Sequence, residues 1–292
     1  MMLKGSYVAL VTPFKNGEVD YSALEALLDF HLNKGTHGIL LLGTTAETAG
    51  LASDEKDALL RFAIHKLNRR VPVMIGTGTN NLHQTLANTM KAKELGADFA
   101  LVITPYYIKP TQAGMYEYFG HIASRVDIPI VIYNVPGRTG VNILPATVVK
   151  LAKAYPNIVG IKEASGSIVQ ATEIIRDAPD SFVVMCGEDA INLPLMAIGA
   201  KGCISVTANV VPGLMSEHIQ TCLNGDMSSA AVQHRRLQAI NSVMFIETNP
   251  IPAKEALHMM GLINLEFRLP MCPLQDASRE ALAQVLKAYS LI

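Results

Sequence analysis

Lys162 closes the apolar stretch Ile158-Val159-Gly160-Ile161 and is followed by Glu163-Ala164-Ser165-Gly166. Burial disfavours the ammonium form of a lysine, and a neutral amine is a nucleophile that attacks a ketone to form a Schiff base. The competing reading is an ion pair with a neighbouring carboxylate such as Glu163, which would leave the lysine charged. A Schiff-base route also needs a group that moves protons at the carbinolamine and at the enamine carbon. Tyr133, in the run Tyr133-Asn134-Val135-Pro136-Gly137-Arg138-Thr139-Gly140, is the candidate, with the hydroxyls of Thr44, Thr45 and Tyr107 available to activate it. Each has a plainer alternative: Tyr133 as a packed aromatic, Thr44 and Thr45 as caps of a turn. Arg138 offers a guanidinium fork for a substrate carboxylate, against the alternative of an exposed surface arginine.

These residues become a site only if the fold brings them to one place. Near-continuous apolar runs recur at 7–11, 38–42, 71–75, 99–103, 128–133, 158–161, 182–185 and 203–206. That pattern suits strands buried on both faces, as in a parallel sheet. The segments between them read as helices. Leu24, Leu27, Leu28 and Leu32 share one face and end at Gly35, and Ser53-Asp54-Glu55 opens another helix. Strict alternation of this kind predicts an α/β fold, a closed (β/α)8 barrel, with the chemistry at the C-terminal ends of the strands. Lys162, Tyr133, Tyr107 and the two threonines all fall at such ends, which favours the catalytic reading of Lys162. An open doubly wound sheet would carry a GxGxxG turn after its first strand, and Thr12-Pro13-Phe14 stands there instead. After Val206 the strands stop, and 212–223, 228–245, 252–260 and 276–288 read as helices. The expected division is a catalytic barrel over 1–210 and a helical region over 211–292.

Composition narrows the classes further. Lys+Arg total 24 and Asp+Glu 25, so nucleic acid finds no electrostatic footprint. Charged residues make up 17% against about 25% in an average soluble domain, which fits subunits that hide surface from water. No run is long and apolar enough for a membrane span or a signal peptide. Cys186, Cys203, Cys222 and Cys272 lie far apart without a CxxC pair, which reads as reduced thiols in the cytoplasm. The histidines form no HxxH or HExxH pair, so neither a metal nor a cofactor is expected. Gly76-Thr77-Gly78-Thr79-Asn80 reads as a tight loop rather than an anion cradle.

Taken together the motifs resemble the dihydrodipicolinate synthase family of pyruvate-dependent aldolases. The resemblance rests on Gly43-Thr44-Thr45-Ala46-Glu47, on the run from Tyr133 to Gly140 and on Gly160-Ile161-Lys162-Glu163-Ala164. Leu10-Val11-Thr12-Pro13, Thr104-Pro105-Tyr106-Tyr107, Ser205-Val206-Thr207-Ala208-Asn209 and Asn249-Pro250-Ile251-Pro252 extend it. It implies a lyase that condenses pyruvate with L-aspartate 4-semialdehyde in diaminopimelate and lysine biosynthesis. By the same resemblance Lys162 forms the Schiff base, and Tyr133 shuttles protons with Thr45 and with a Tyr107 lent across a tight dimer. Thr44 and Thr45 hold the pyruvyl carboxylate, Arg138 binds the semialdehyde carboxylate, and Gly187 and Ile204 line the pocket. A homotetramer built as a dimer of dimers is implied, with no cofactor. N-acetylneuraminate lyases share the lysine and generally lack the arginine at position 138; a sugar-acid aldolase and a silent keto-acid-binding protein are the other readings. Two departures stand out. Ala46 replaces the usual glycine, which matters only if its φ is positive, and modestly altered kinetics are the expectation. Lys56 and Gln84 replace the histidine and glutamate of lysine-inhibited members, so feedback by lysine is expected to be weak or absent.

Overall fold

The computed structural model describes residues 3–292. Its parallel strands are β1 Gly5–Ala9, β2 Gly38–Leu41, β3 Val73–Gly76, β4 Phe99–Ile103, β5 Ile130–Asn134, β6 Ile158–Glu163, β7 Val183–Cys186 and β8 Gly202–Ser205. They close into a barrel in chain order, with β8 paired to β1 from Gly5 opposite Gly202 to Val8 opposite Ser205. Closure leaves no edge strand to protect. This is the expected (β/α)8 barrel, and each expected apolar run overlaps one strand, with ends displaced by up to two residues. The sequence pattern did not reveal the short antiparallel hairpin of Phe14–Lys15 and Glu18–Val19 after β1. Its strands are too short for periodicity to register.

The strands are apolar on both faces because both faces are covered. Tyr7, Leu40, Met74, Leu101, Val131, Met185 and Ile204 fill the barrel interior as one cluster. Val8, Ile39, Ile75, Val102, Ile132 and Val184 face outward into the helical layer. Each large aliphatic side chain so buried contributes about 1.5–3 kcal/mol. The helices start where the sequence provides caps: Asp20 accepts from the Ala23 amide at 3.0 Å and Asp226 from the Ser229 amide at 3.0 Å.

Beyond β8 come the helices Pro212–Leu223, Met227–Val243, Ile251–Met259 and Asp276–Ala288. The expected helices differ from these by no more than two residues at any end. Pro212–Leu223 packs against β1 and β8, so by its contacts it covers the barrel wall, although the pattern change lies before it. Met227–Val243, Ile251–Met259 and Asp276–Ala288 are joined through packing on the last of these. Asn209 ties the segment after β8 to the barrel mouth. Its amide donates to the Ala9 carbonyl at 2.8 Å and its Oδ1 accepts from Val11 at 3.1 Å.

Candidate active site

The aim of Lys162 depends on an irregularity in its strand. β5 and β6 pair Ile130 with Ile158 but Val131 with Gly160, so Val159 is an extra residue, a β-bulge. Val159 packs on the interior cluster, whereas Ile161 belongs to the outer one. Without the bulge these two residues would share a face and Lys162 would point outward. With it, Lys162 pairs with the inward-facing Tyr133. A Cβ on Gly160 would lie 2.5 Å from the Val183 carbonyl oxygen, so the bulged strand needs glycine there.

Lys162 is 5% exposed, and its Nζ sits 4.4 Å from the centroid of the Tyr133 ring. Among the described residues no carboxylate forms an ion pair with it. Glu163 is the neighbour that could have done so, and it points to the opposite face. There it accepts from Asn134 at 3.1 Å, Gln170 at 3.0 Å and the Ser165 amide at 2.7 Å. Both of its oxygens are engaged in that network, and it forms no ion pair with Lys162.

Gly187 follows β7 and leaves room for the lysine stem. A Cβ at this position would lie 2.7 Å from Ala164 Cβ and 3.1 Å from Lys162 Cε. Ile204 on β8 is 1% exposed within the interior cluster. Glu188, which the motif reading passed over, is half-buried after Gly187. Burial and Asp189 push its carboxyl up, and the Lys162 amine offsets part of that.

Thr44 and Thr45 lie in a short turn, Thr44–Ala46, between β2 and the left-handed residue Glu47, whose φ is 53°. Thr45 is buried and its Oγ1 accepts from Asn249 Nδ2 at 3.0 Å. The Asn249 carbonyl in turn accepts from the Arg138 guanidinium at 3.1 Å. Asn249 therefore links two of the expected site residues from the C-terminal region. The sequence offered only the pattern Asn249-Pro250-Ile251-Pro252 as a signal for it. A hydroxyl carries one donor, so with Asn249 occupying a lone pair the Thr45 proton is free to point elsewhere. Ala46 is not among the residues with positive φ; Leu42 at 52° and Glu47 at 53° flank it. The alanine for glycine exchange therefore carries no backbone strain.

Tyr107 stands apart. It is 87% exposed and has a φ of 72°, between the exposed chain neighbours Tyr106 and Ile108. Gly76, in the loop read as tight, approaches so closely that a Cβ there would lie 2.2 Å from the Leu42 carbonyl oxygen. Among the described residues no group of three or more His, Cys, Asp or Glu side chains could hold a metal ion, and no helix is long and apolar enough to cross a membrane.

The sequence profile of the Dihydrodipicolinate synthetase family matches residues 2–289. The chain belongs to this family. A relative from Thermodesulfovibrio yellowstonii, a 4-hydroxy-tetrahydrodipicolinate synthase, is 49% identical over 291 residues and covers 100% of both chains. The crystal structure of a dihydrodipicolinate synthase from Aquifex aeolicus is 47% identical, with a TM-score of 0.97 over 99% of each chain. A structure described as the first monomeric dihydrodipicolinate synthase variant is 41% identical, with a TM-score of 0.97 over 99% of this chain and 97% of that one. The family places the barrel with the synthases rather than with a binding protein.

Proposed function

We infer that this chain is a 4-hydroxy-tetrahydrodipicolinate synthase that condenses pyruvate with L-aspartate 4-semialdehyde through a Schiff base on Lys162. One observation carries the assignment of the lysine: a buried amine without a carboxylate partner lies beside the Tyr133 ring at the mouth of the barrel. The amine attacks C2 of pyruvate, and the carbinolamine loses water to give the Schiff base. Loss of a C3 proton gives an enamine, whose carbon attacks the aldehyde of the semialdehyde. The amino group of that substrate then displaces Lys162 at C2, closing the ring and freeing the enzyme. Tyr133 carries the protons, and Thr45, bonded to Asn249, orients its own proton toward that relay. Thr44 and Thr45 hold the pyruvyl carboxylate. Arg138, held at the rim by the Asn249 carbonyl, takes the carboxylate of the semialdehyde. Gly187 and Ile204 shape the pocket around the Schiff base. No cofactor enters these steps.

Tyr107 and its apolar neighbours present a surface suited to a second copy, which would bring Tyr107 to the relay of the neighbouring barrel. We propose a homotetramer arranged as a dimer of dimers, working in the cytoplasm with its four cysteines reduced. Activity measured alongside sedimentation on dilution tests the shared tyrosine. Loss of activity as copies separate supports it, and a fully active monomer contradicts it. The activity itself is tested by supplying both substrates and coupling the product to the reductase that follows. Turnover with aspartate semialdehyde and none with N-acetylneuraminate is the expected result.

A further inference from the structure

The helix Ile251–Met259 contains a second buried lysine. Lys254 has a side-chain exposure of 0%, and its Nζ donates to Glu47 Oε1 at 2.5 Å. Its ammonium also faces two aromatic rings, Phe14 at 4.3 Å and Phe267 at 4.9 Å from the centroids. Glu47 is the left-handed residue that ends the Thr44–Ala46 turn. Its second oxygen accepts from the Arg268 amide at 2.9 Å. With the Asn249–Thr45 bond, the C-terminal region thus grips the loop at Thr45 and at Glu47, two residues apart.

A buried ion pair is poor evidence of stabilisation, because withdrawing both charges from water costs about as much as their attraction returns. The placement of this pair points elsewhere. A non-glycine residue at φ 53° persists only when its surroundings hold it. Burial pulls Lys254 down from its usual range, and the Glu47 carboxylate pushes back. We propose that Lys254 is a positioning residue for the reaction: by clamping Glu47 it fixes the turn that presents Thr44 and Thr45 to the pyruvyl group and to Tyr133. This rests on the assignment of Thr45 to the relay. The helical region after the barrel then acts on the site through the loop it holds.

The test compares Glu47→Gln, Lys254→Met and the double variant, with Thr45→Val in parallel. Thermal midpoint, kcat and both KM values are measured for each. Lys254→Met strands a carboxylate in the core and can block folding. The double variant removes both charges, an exchange that buried pairs tolerate. In the double variant the midpoint is expected to recover toward that of the parent. Its kcat is expected to stay about 10- to 100-fold down with a raised pyruvate KM, because the loop is no longer held in register. The semialdehyde KM, set at Arg138, should remain near the parent value. A folded double variant with parental kcat and pyruvate KM overturns the proposal if Thr45→Val loses activity. An active Thr45→Val overturns the relay assignment, and the proposal with it.

Discussion

The lysine stem fits only because position 187 has no side chain, and Gly187→Ala measures how closely the amine must be placed. The added Cβ would sit 2.7 Å from Ala164 Cβ. Ordinary carbon–carbon contact begins at about 3.5 Å, so the shortfall is ~0.8 Å. Ala164 Cβ cannot rotate out of the way, and the backbone must give. The new methyl would also stand 3.1 Å from Lys162 Cε and 3.1 Å from the Glu163 carbonyl oxygen, which accepts the Gly187 amide at 2.8 Å. Relief therefore displaces the strand end that carries Lys162 or the lysine stem itself. Overpacking of this kind costs about 1–3 kcal/mol, and misplacing a reacting group by about 1 Å costs up to about 100-fold in rate. Gly187→Ala is expected to fold with a midpoint lowered by several degrees. Its kcat, and its rate of trapping by pyruvate and borohydride, should fall about 10- to 100-fold. A folded Gly187→Ala variant with parental kcat and trapping rate would refute the claim that this glycine makes room for the amine.

Ala46→Gly should leave kcat/KM within about twofold of the parent, because the backbone at Ala46 does not need glycine. A large gain in kcat/KM would mean that the methyl itself crowds Thr45. Lysine below millimolar concentration should not inhibit, since the neutral Gln84 is bonded to Asn88 at 2.8 Å and Lys56 adds like charge near an incoming ammonium. Sub-millimolar inhibition in a steady-state titration would contradict this. Acid should destabilise the protein through its buried histidines. Burial pushes His31 down to about 3 and His218 down to about 4, with His234 lowering His218 further. Both are below the usual value near 6.5, so the unfolded chain binds the extra protons. Their contribution to stability is whole above that pH and declines below it, by about 1.4 kcal/mol per pH unit for each histidine. Urea midpoints measured from pH 8 down to pH 5 should be level and then fall; a flat curve below pH 6.5 would contradict the assignment.

The barrel was legible because its strands are apolar on both faces and its helices are punctuated by caps and glycines. The candidate site was legible where a residue able to do chemistry ends an apolar run, as Lys162 and Tyr133 do. What periodicity could not show was the aim of Lys162. That comes from a single extra residue, Val159, whose presence alters pairing and not composition. The loop supports were hidden for a related reason. Lys254 and Glu255 stand in a short helix otherwise read as ordinary, yet both are buried, because Phe14 and Phe267 cover Lys254 and the chain around Leu274 covers Glu255. Asn249 appeared as part of a motif, but its bond to Thr45 spans 204 positions and has no local signature. The Ala46 departure drew notice for its residue type, whereas the strained position is Glu47, one residue on.

Reduction by borohydride in the presence of pyruvate, followed by peptide mapping, tests the central claim most directly. The two buried lysines make the outcome decisive, because Lys162 is without a carboxylate partner and Lys254 is sealed against Glu47. A single reduced pyruvyl adduct on Lys162, absent from Lys162→Ala, is the result expected. An adduct on another lysine, or one that persists in Lys162→Ala, would contradict the account.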